Sequence, residues 1–370
     1  MIYNWQQKDW PNFTYDLSYV NKTLDVFIEK VGHQKGLLIA LNSSSKEDAI
    51  IEILVSESIK TSEIENEYLS RQDVTSSIKY NLGLYEPGRG VRDLRAKGIG
   101  KMMVDVRNNY RTPLTESALK DWHKTLFLNQ NHIVIGEWRS HKAPMQVVSD
   151  SLHKPKVHFQ APPSVEIPNE MMRFLDWFSS VSNNKKGDIK YAPVFSAISH
   201  IFFESIHPFE DGNGRIGRAI ADKALSMIVD YPLLLSLSTI IENKKKDYYT
   251  ALERNQKSND ITDWINYFVN VVVDAQIHTE EFIKFIIKKV SFHDKFKNKM
   301  NQRQQKCVNR MFEEGSKGFK GGMSAKKYMS VVKTSKATAT RDLQALEGVG
   351  AFTVQGGGRS TRYHLNLDQI

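Results

Sequence analysis

Along most of this chain apolar positions recur every three to four residues, the spacing of amphipathic helices. In SSSKEDAIIEILVSESIKTSEIENEYL, serines beside Glu47 and Asp48 form an N-cap pattern. Ile50, Ile51, Leu54 and Ile59 then follow at helical spacing. YEPGRGVRDLRAKGIG (85–100) predicts a loop, because a proline and several glycines interrupt the period. A helix resumes at TPLTESALKDWHKTLF, with Thr115 and Glu116 near its start. The texture changes between Ile135 and Pro168, where the β-prone runs MQVV and KVHF flank a polar turn and predict a hairpin. Helical spacing returns in MMRFLDWFSSV, YAPVFSAISHIFFESI and RAIADKALSMIV and continues to about Val290. In the second of these, Val194, Ala197, Ile198, Ile201 and Phe202 share one face. From about Asn301, FHDKFKNKMNQRQQK gives a linker and first helix, SAKKYMSVV and SKATATRDLQALEGVG two more helices, and FTVQGGGRSTRYHL two short strands about a Gly-rich tip. That is the order of a winged helix-turn-helix. The predicted fold is mainly α, in three parts: 1–115, 116–290 and 291–370.

Composition narrows this picture. The 370 residues are 40% hydrophobic and 25% charged, enough for a sizeable core. The single cysteine, Cys307, excludes an intramolecular disulfide and a multi-cysteine zinc site. That fits a reducing cytoplasm, the expected location. The first residues lack a basic region followed by an apolar run, so no signal peptide is read. The most apolar stretch, Ala219 to Ile241, is interrupted by Asp222, Lys223, Asp230 and Pro232, and no membrane partner is expected. The net charge of +9 is uneven. Residues 283–370 hold 18 Lys and Arg against 6 Asp and Glu, whereas residues 1–282 hold 33 against 36. The C-terminal part therefore presents either a polyanion-binding face or a solvated basic surface.

The candidate chemistry is concentrated in HPFEDGNGRIGR, His207 to Arg218. Pro208 ends the preceding helix near Ile206 and leaves His207 at its end, free to enter a cleft. Phe209 is apolar inside a polar loop and should anchor it. Gly212 and Gly214 supply a tight turn into a helix beginning around Arg215. Exposed backbone N–H groups in such a turn form an anion nest. Arg215 and Arg218 lie on one face of the first turn. Cations at a helix N-terminus oppose the macrodipole, a cost that a bound polyphosphate would offset. Asp211 is placed to hold Mg²⁺ against phosphate oxygens. His207 is the general base, since an imidazole with an unperturbed pKa of about 6.5 suits a hydroxyl proton. The loop is not a Walker A motif, which ends in GK[ST].

With every specified position matched, HPFEDGNGRIGR resembles the signature HPFx(D/E)GNGRxxR of Fic-domain proteins. MQVVSDSLHKPKVHFQAPP is similar to that family's substrate flap. The N-terminal YNWQQKDWPNFTYD resembles the extension of a bacterial subgroup that also carries a C-terminal winged helix. The resemblance implies transfer of AMP from ATP to a Ser, Thr or Tyr hydroxyl of a target protein, releasing pyrophosphate. By similarity His207 takes the hydroxyl proton and Asp211 holds Mg²⁺. Gly212, Asn213 and Gly214 form the hole around the α- and β-phosphates, with Ile216 and Gly217 in the same phosphate-binding turn. Arg215 then meets the β-phosphate and Arg218 the γ-phosphate. Intact GNGR favours AMP over phosphate transfer.

KKKDYYTALERNQ resembles the wall of the base pocket, and Tyr248 is either a base contact or a packing residue. The flap, about Gln146 to His158, is expected to pair with the target's backbone. TSEIEN (61–66) resembles the inhibitory pattern (S/T)xxxE(G/N), with Thr61, Glu65 and Asn66 in place, which implies that Glu65 pairs with Arg218. On the winged helix, Lys336, Thr338, Thr340, Arg341, Arg359 and Arg362 leave DNA contact and protein interaction both open. The expected partners are ATP, a protein substrate, DNA and a second copy of the chain. Removal of AMP, transfer of another nucleotide, and a nucleotide-sensing DNA-binding regulator are the rival readings. Retention of His207 speaks against the regulator, because sensing ATP needs no base.

Overall fold

The computed structural model describes residues 2–84, 90–130, 133–148, 156–315 and 318–367. Fourteen α-helices and two antiparallel hairpins are found there: α1 Asn21–Ala40, α2 Ser43–Ile64, α3 Arg71–Asn81, α4 Leu94–Asn108, α5 Glu116–Leu126, β1 Gln146–Val148, β2 Val157–Gln160, α6 Ile167–Asn184, α7 Ala192–Ile206, α8 Asn213–Val229, α9 Leu237–Asn243, α10 Lys245–Asn255, α11 Thr262–Phe296, α12 Gln302–Phe312, α13 Ala325–Val332, α14 Lys336–Gly348, β3 Phe352–Gln355 and β4 Arg362–Leu365. No described helix is long and apolar enough to cross a membrane. The chain divides into two compact units, Met1–Lys35 with Ile50–Thr279, and Gly36–Ala49 with Glu280–Ile370. The mainly α fold predicted from the apolar spacing is the one observed.

In the first unit α7 is the central helix. The sequence predicts one apolar face, but every residue of α7 is buried. Small polar residues allow this by bonding inside the core: Ser199 donates to the Phe195 carbonyl at 2.7 Å and Ser196 to the Ala221 carbonyl of α8 at 2.9 Å. Both hydroxyls are thereby satisfied without water. Around α7 pack Ile167, Met171, Phe174 and Phe178 of α6, at helical spacing, and Ile216, Ala219, Ile220 and Ala224 of α8.

Two local expectations change. The glycine-rich 85–100 stretch is not loop throughout, because α4 begins at Leu94, capped by Asp93 accepting from Arg95 N. Gly98 and Gly100 serve close packing there rather than a turn. A Cβ on Gly98 would run into the Thr125 carbonyl, and one on Gly100 would come within 2.7 Å of Ser77 Oγ. Residues 85–89 lie outside the described residues. The N-cap of α2 is Asn42, whose side chain accepts from Ser45 N at 2.9 Å, and the serines stand inside the first turn.

The predicted hairpin forms with Gln146 opposite Gln160, Val147 opposite Phe159 and Val148 opposite Val157. Its turn, 149–155, lies outside the described residues. In the second unit α12, α13 and α14 precede the β3–β4 hairpin. Asn301, Ser324 and Ser335 cap the three helices in turn. Cys307, Tyr328, Leu343 and Phe352 lie in the core of this unit.

Candidate active site

The motif begins where α7 ends. His207 lies in the left-handed region (φ 52°, ψ 59°), which turns the chain sharply at the C-terminus of a buried helix. A non-glycine residue there is uncommon and needs support. Arg139 supplies it. Its backbone N–H donates to the Pro208 carbonyl at 2.9 Å, and its Nε to the His207 carbonyl at 2.8 Å. Its remaining nitrogens donate to the Pro162 carbonyl at 2.6 Å and to Ser164 Oγ at 3.0 Å. The guanidinium is buried with carbonyls and a hydroxyl around it, and burial pushes it down to about 10. One side chain, from the segment before the β1–β2 hairpin, thus fastens the backbone of His207 to residues just after that hairpin.

The loop after His207 is held from two directions. Phe209 is fully buried, as expected, and stacks on His123 with ring centroids 4.2 Å apart. Gly136 N–H donates to His123 Nδ1 at 2.8 Å, so this imidazole carries its proton on Nε2, 3.3 Å from the Asp211 carbonyl. Desolvation first, and the Arg215 charge after it, push His123 down to about 4 despite the pull of Asp211 and Glu210. Its folded value lies below its unfolded value of about 6.5, so the unfolded chain binds the extra proton between them. The neutral ring therefore costs stability progressively as pH falls from about 6.5 to 4, by up to roughly 3 kcal/mol. We expect urea unfolding at pH 7 and pH 4.5 to show a loss in wild type that is smaller by most of that amount in His123→Gln.

Gly212 (φ 79°) caps α8, which starts at Asn213, two residues before the predicted start. A Cβ on Gly212 would come within 2.6 Å of the Phe127 ring, so conformation and space both require glycine here. The Asn213 amide closes on the loop, accepting from Phe209 N at 3.0 Å and donating to the Phe209 carbonyl at 2.9 Å. For an anion it has its backbone N–H to offer, as do Gly214 and the other residues of this first turn. Ile216 is fully buried and faces the core. Asp211 is half-exposed at the mouth of the turn; its Oδ1 accepts from Gly212 N and lies 3.8 Å from Arg215 Nη2.

Both motif arginines are buried, and both are paired to carboxylates of one N-terminal segment. Arg218 Nη2 is 2.7 Å from Glu65 Oε1, while its Nε and Nη2 also donate to Thr61 Oγ1 at 2.7 Å and the Thr61 carbonyl at 2.9 Å. Burial alone lowers the Arg218 guanidinium, but the Glu65 charge, Tyr248, Tyr249 and the hydrogen bond to Glu65 together outweigh it and the net shift is upward. Arg215 Nη1 is 2.7 Å from Glu67 Oε2. The segment carrying the two acids is fixed by its backbone. α2 stops at Ile64, and Asn66 takes the left-handed conformation (φ 60°) that asparagine tolerates. Lys245 Nζ then donates to Asn66 Oδ1 at 2.8 Å. Further back on α2, the buried Glu57 accepts from Ser236 Oγ and Ser238 N, both at 2.9 Å. A Cβ on Gly214 would strike Glu65 Oε1, so that glycine also makes room for the ion pair.

The sequence-predicted residues His207, Asp211, Gly212, Gly214, Arg215, Arg218 and Glu65 thus form one cluster. Tyr248 is buried on α10 with its hydroxyl 2.8 Å from His200 Nε2. Sequence reasoning missed Glu67, His123, Arg139 and Glu204. Glu204 did leave a signal, as a carboxylate inside an otherwise apolar helix three residues before His207. Arg139 and His123 left none, being 68 and 88 residues from their partners in the motif.

The segment that holds these residues is similar to known proteins. Residues 113–225 match the Fic/DOC family, and residues 3–84 match a domain of unknown function, DUF4172. A probable protein adenylyltransferase of Aquifex aeolicus is 30% identical over 139 residues, 33% of this chain and 39% of that protein. Protein adenylyltransferase Fic of Nematostella vectensis is 29% identical over 161 residues, 41% of this chain and 35% of that protein. The chain therefore spans well under half the length of these curated relatives. Two crystal structures share the fold. A Fic family protein from Desulfovibrio desulfuricans has a TM-score of 0.53 at 21% identity, covering 96% of this chain and 98% of its own. A Fic domain containing signaling protein from Bacteroides thetaiotaomicron has a TM-score of 0.54 at 18% identity, covering 74% and 97%.

Proposed function

From a chain whose residues 113–225 match the Fic/DOC family, we propose a protein adenylyltransferase that moves AMP from ATP to a hydroxyl side chain of a protein. The observation that carries this is the pairing of Arg215 and Arg218 with Glu67 and Glu65 beside the N-terminus of α8. Two buried guanidinium groups next to a helix N-terminus suit an anion, and the carboxylates of Glu65 and Glu67 stand where phosphate oxygens would go. His207, at the adjoining helix end, takes the hydroxyl proton. The hydroxyl oxygen bonds to the α-phosphorus, the bond from that phosphorus to the bridging oxygen breaks, and pyrophosphate leaves. Electrostatic positioning of the phosphates contributes most of the rate in such transfers.

Asp211 is the residue that would hold Mg²⁺. A single half-exposed carboxylate beside a phosphate nest suits a cation that keeps its waters and shares phosphate oxygens. The ion would neutralise charge developing on the phosphates. The β1–β2 hairpin pairs with no other described strand, leaving an edge on which a target segment can add. Lys156 and His158 of this hairpin hold Glu253 of α10 at 3.0 and 2.6 Å.

Glu65 is the inhibitory residue in this reading, since its carboxylate occupies the arginine that would place the γ-phosphate. Incubation with ATP labelled at either the α- or the γ-phosphate tests the reaction class. α-Label on protein supports AMP transfer, γ-label means a kinase-like reaction, and neither label in a Glu65→Gly variant would sink the proposal.

A second partner is DNA, bound by the second unit. Lys333, Lys336, Thr340, Arg341 and Gln344 are exposed along the turn into α14 and its first turns. They combine phosphate-contacting cations with base-reading amide and hydroxyl groups. Arg362 lies on β4, whereas the side chain of Arg359 is outside those described. We expect duplex binding that weakens steeply with salt, and a shallower salt slope in Lys336→Ala/Arg341→Ala. Affinity that ignores salt would point to a protein partner for this face.

A further inference from the structure

His207 has a buried partner that the motif does not specify. Glu204 stands one turn earlier on α7 and is 6% exposed. Its Oε2 lies 3.6 Å from His207 Nδ1, and that nitrogen has no hydrogen bond among the described residues. This is an ion-pair separation, and contacts of this kind are commonly long before substrate binds. The other carboxylate oxygen, Oε1, is buried and also lacks a hydrogen bond there.

One turn earlier again is His200, fully buried, with Nε2 2.8 Å from the Tyr248 hydroxyl. The donor in that bond is set by the imidazole tautomer, and the other ring nitrogen, Nδ1, has no hydrogen bond among the described residues. That Nδ1 and Glu204 Oε1 both lie against Gly217, where a Cβ would stand 3.1 and 2.5 Å from them. His200, Glu204 and His207, at i, i+4 and i+7, therefore share one face of α7. The Gly217 position, read from the motif as part of the phosphate-binding turn, here has the further task of leaving space for this row.

We propose that Glu204 is a positioning residue for His207: its carboxylate faces Nδ1 to accept a hydrogen bond from Nδ1–H and leaves the Nε2 lone pair for the incoming hydroxyl. The inference rests on the reading of His207 as the base. When the hydroxyl proton moves to Nε2, one O–H bond breaks and one N–H bond forms. No proton passes to Glu204, whose negative charge stabilises the imidazolium. The carboxylate must be ionised for this role. Burial alone would raise it, but His207, His200 and Arg218 together hold it below the usual carboxylate range. Around the pair stand His200 on α7, Arg218 on α8, Tyr248 on α10 and, beyond Arg218, Glu65 next to α2. The arrangement follows the logic of a nucleophile's base oriented by a buried acid.

Two measurements test this. In a Glu65→Gly parent, Glu204→Gln should lower kcat for AMP transfer about 10²- to 10³-fold with KM for ATP changed less than about twofold. The acidic limb of its pH–rate profile should move to lower pH, because the anion that favours the imidazolium is gone. Separately, ¹⁵N NMR of the imidazoles in the unmutated chain should place the His207 proton on Nδ1. An unchanged kcat in Glu204→Gln, or a His207 proton on Nε2, would overturn the proposal. The NMR result stands even if the variant does not fold. If the Glu65→Gly parent itself transfers no AMP, the transferase reading fails, while the tautomer still decides whether Glu204 orients His207.

Discussion

Replacing Glu65 by glycine is expected to raise AMP transfer about 5- to 150-fold over the unmutated chain, the range set by a coupling of roughly 1–3 kcal/mol. The direction follows from the geometry of Arg218. Its side chain is inaccessible to solvent, and Glu65 is its carboxylate partner at 2.7 Å. In the proposed reading ATP displaces that carboxylate to place its γ-phosphate. With Glu65 gone, Thr61 still orients the guanidinium through its hydroxyl and carbonyl. Arg218 then keeps the more distant charges of Glu204 and Glu57, and breaking a buried pair typically costs up to about 3–5 kcal/mol. The variant should therefore be less stable without nucleotide and gain more from ATP than the unmutated chain does. Labelled-ATP transfer rates and thermal unfolding with and without ATP measure both. Equal rates in the two proteins would remove Glu65 from any inhibitory role.

Substituting His207 in that derepressed background should reduce transfer by about 10²- to 10⁴-fold while ATP binding persists. Asparagine is a better test than alanine, because His207 sits at φ 52° and asparagine tolerates the left-handed region with less strain. The groups proposed to contact phosphate stay in place in Glu65→Gly/His207→Asn, since Arg215, Arg218 and the first turn of α8 are anchored independently of the imidazole. Calorimetric titration with ATP should then give an affinity close to that of the parent. Transfer that survives the substitution would assign proton removal to another group or to water. Loss of ATP binding along with transfer would mean that His207 supports the phosphate site instead.

Much of this site is legible in the sequence because its chemistry is packed into twelve consecutive residues. Proline, glycine and arginine at fixed offsets dictate a helix end, a left-handed cap and a new helix start whatever surrounds them. The mainly helical fold was equally legible, since spacing alone sets which faces can be buried. The glycines of 85–100 misled for a physical reason. Gly98 and Gly100 serve close helix packing in α4, which looks the same in one dimension as a broken period.

What the sequence by itself determined was the His207–Arg218 loop and the helices on either side, because backbone rules acting over three or four residues suffice for them. Tertiary structure alone decided how that loop is held. Arg139 reaches the His207 carbonyl across 68 residues, His123 reaches Asp211 across 88, and Glu67 reaches Arg215 across 148. It also decided that α7 is buried on every side, which withdraws Glu204 from water and turns it toward His207. Contacts at such separations depend on where whole helices pack, and the desolvation that keeps His123 neutral, like the neighbouring charges that hold Glu204 ionised against it, exists only once they have packed.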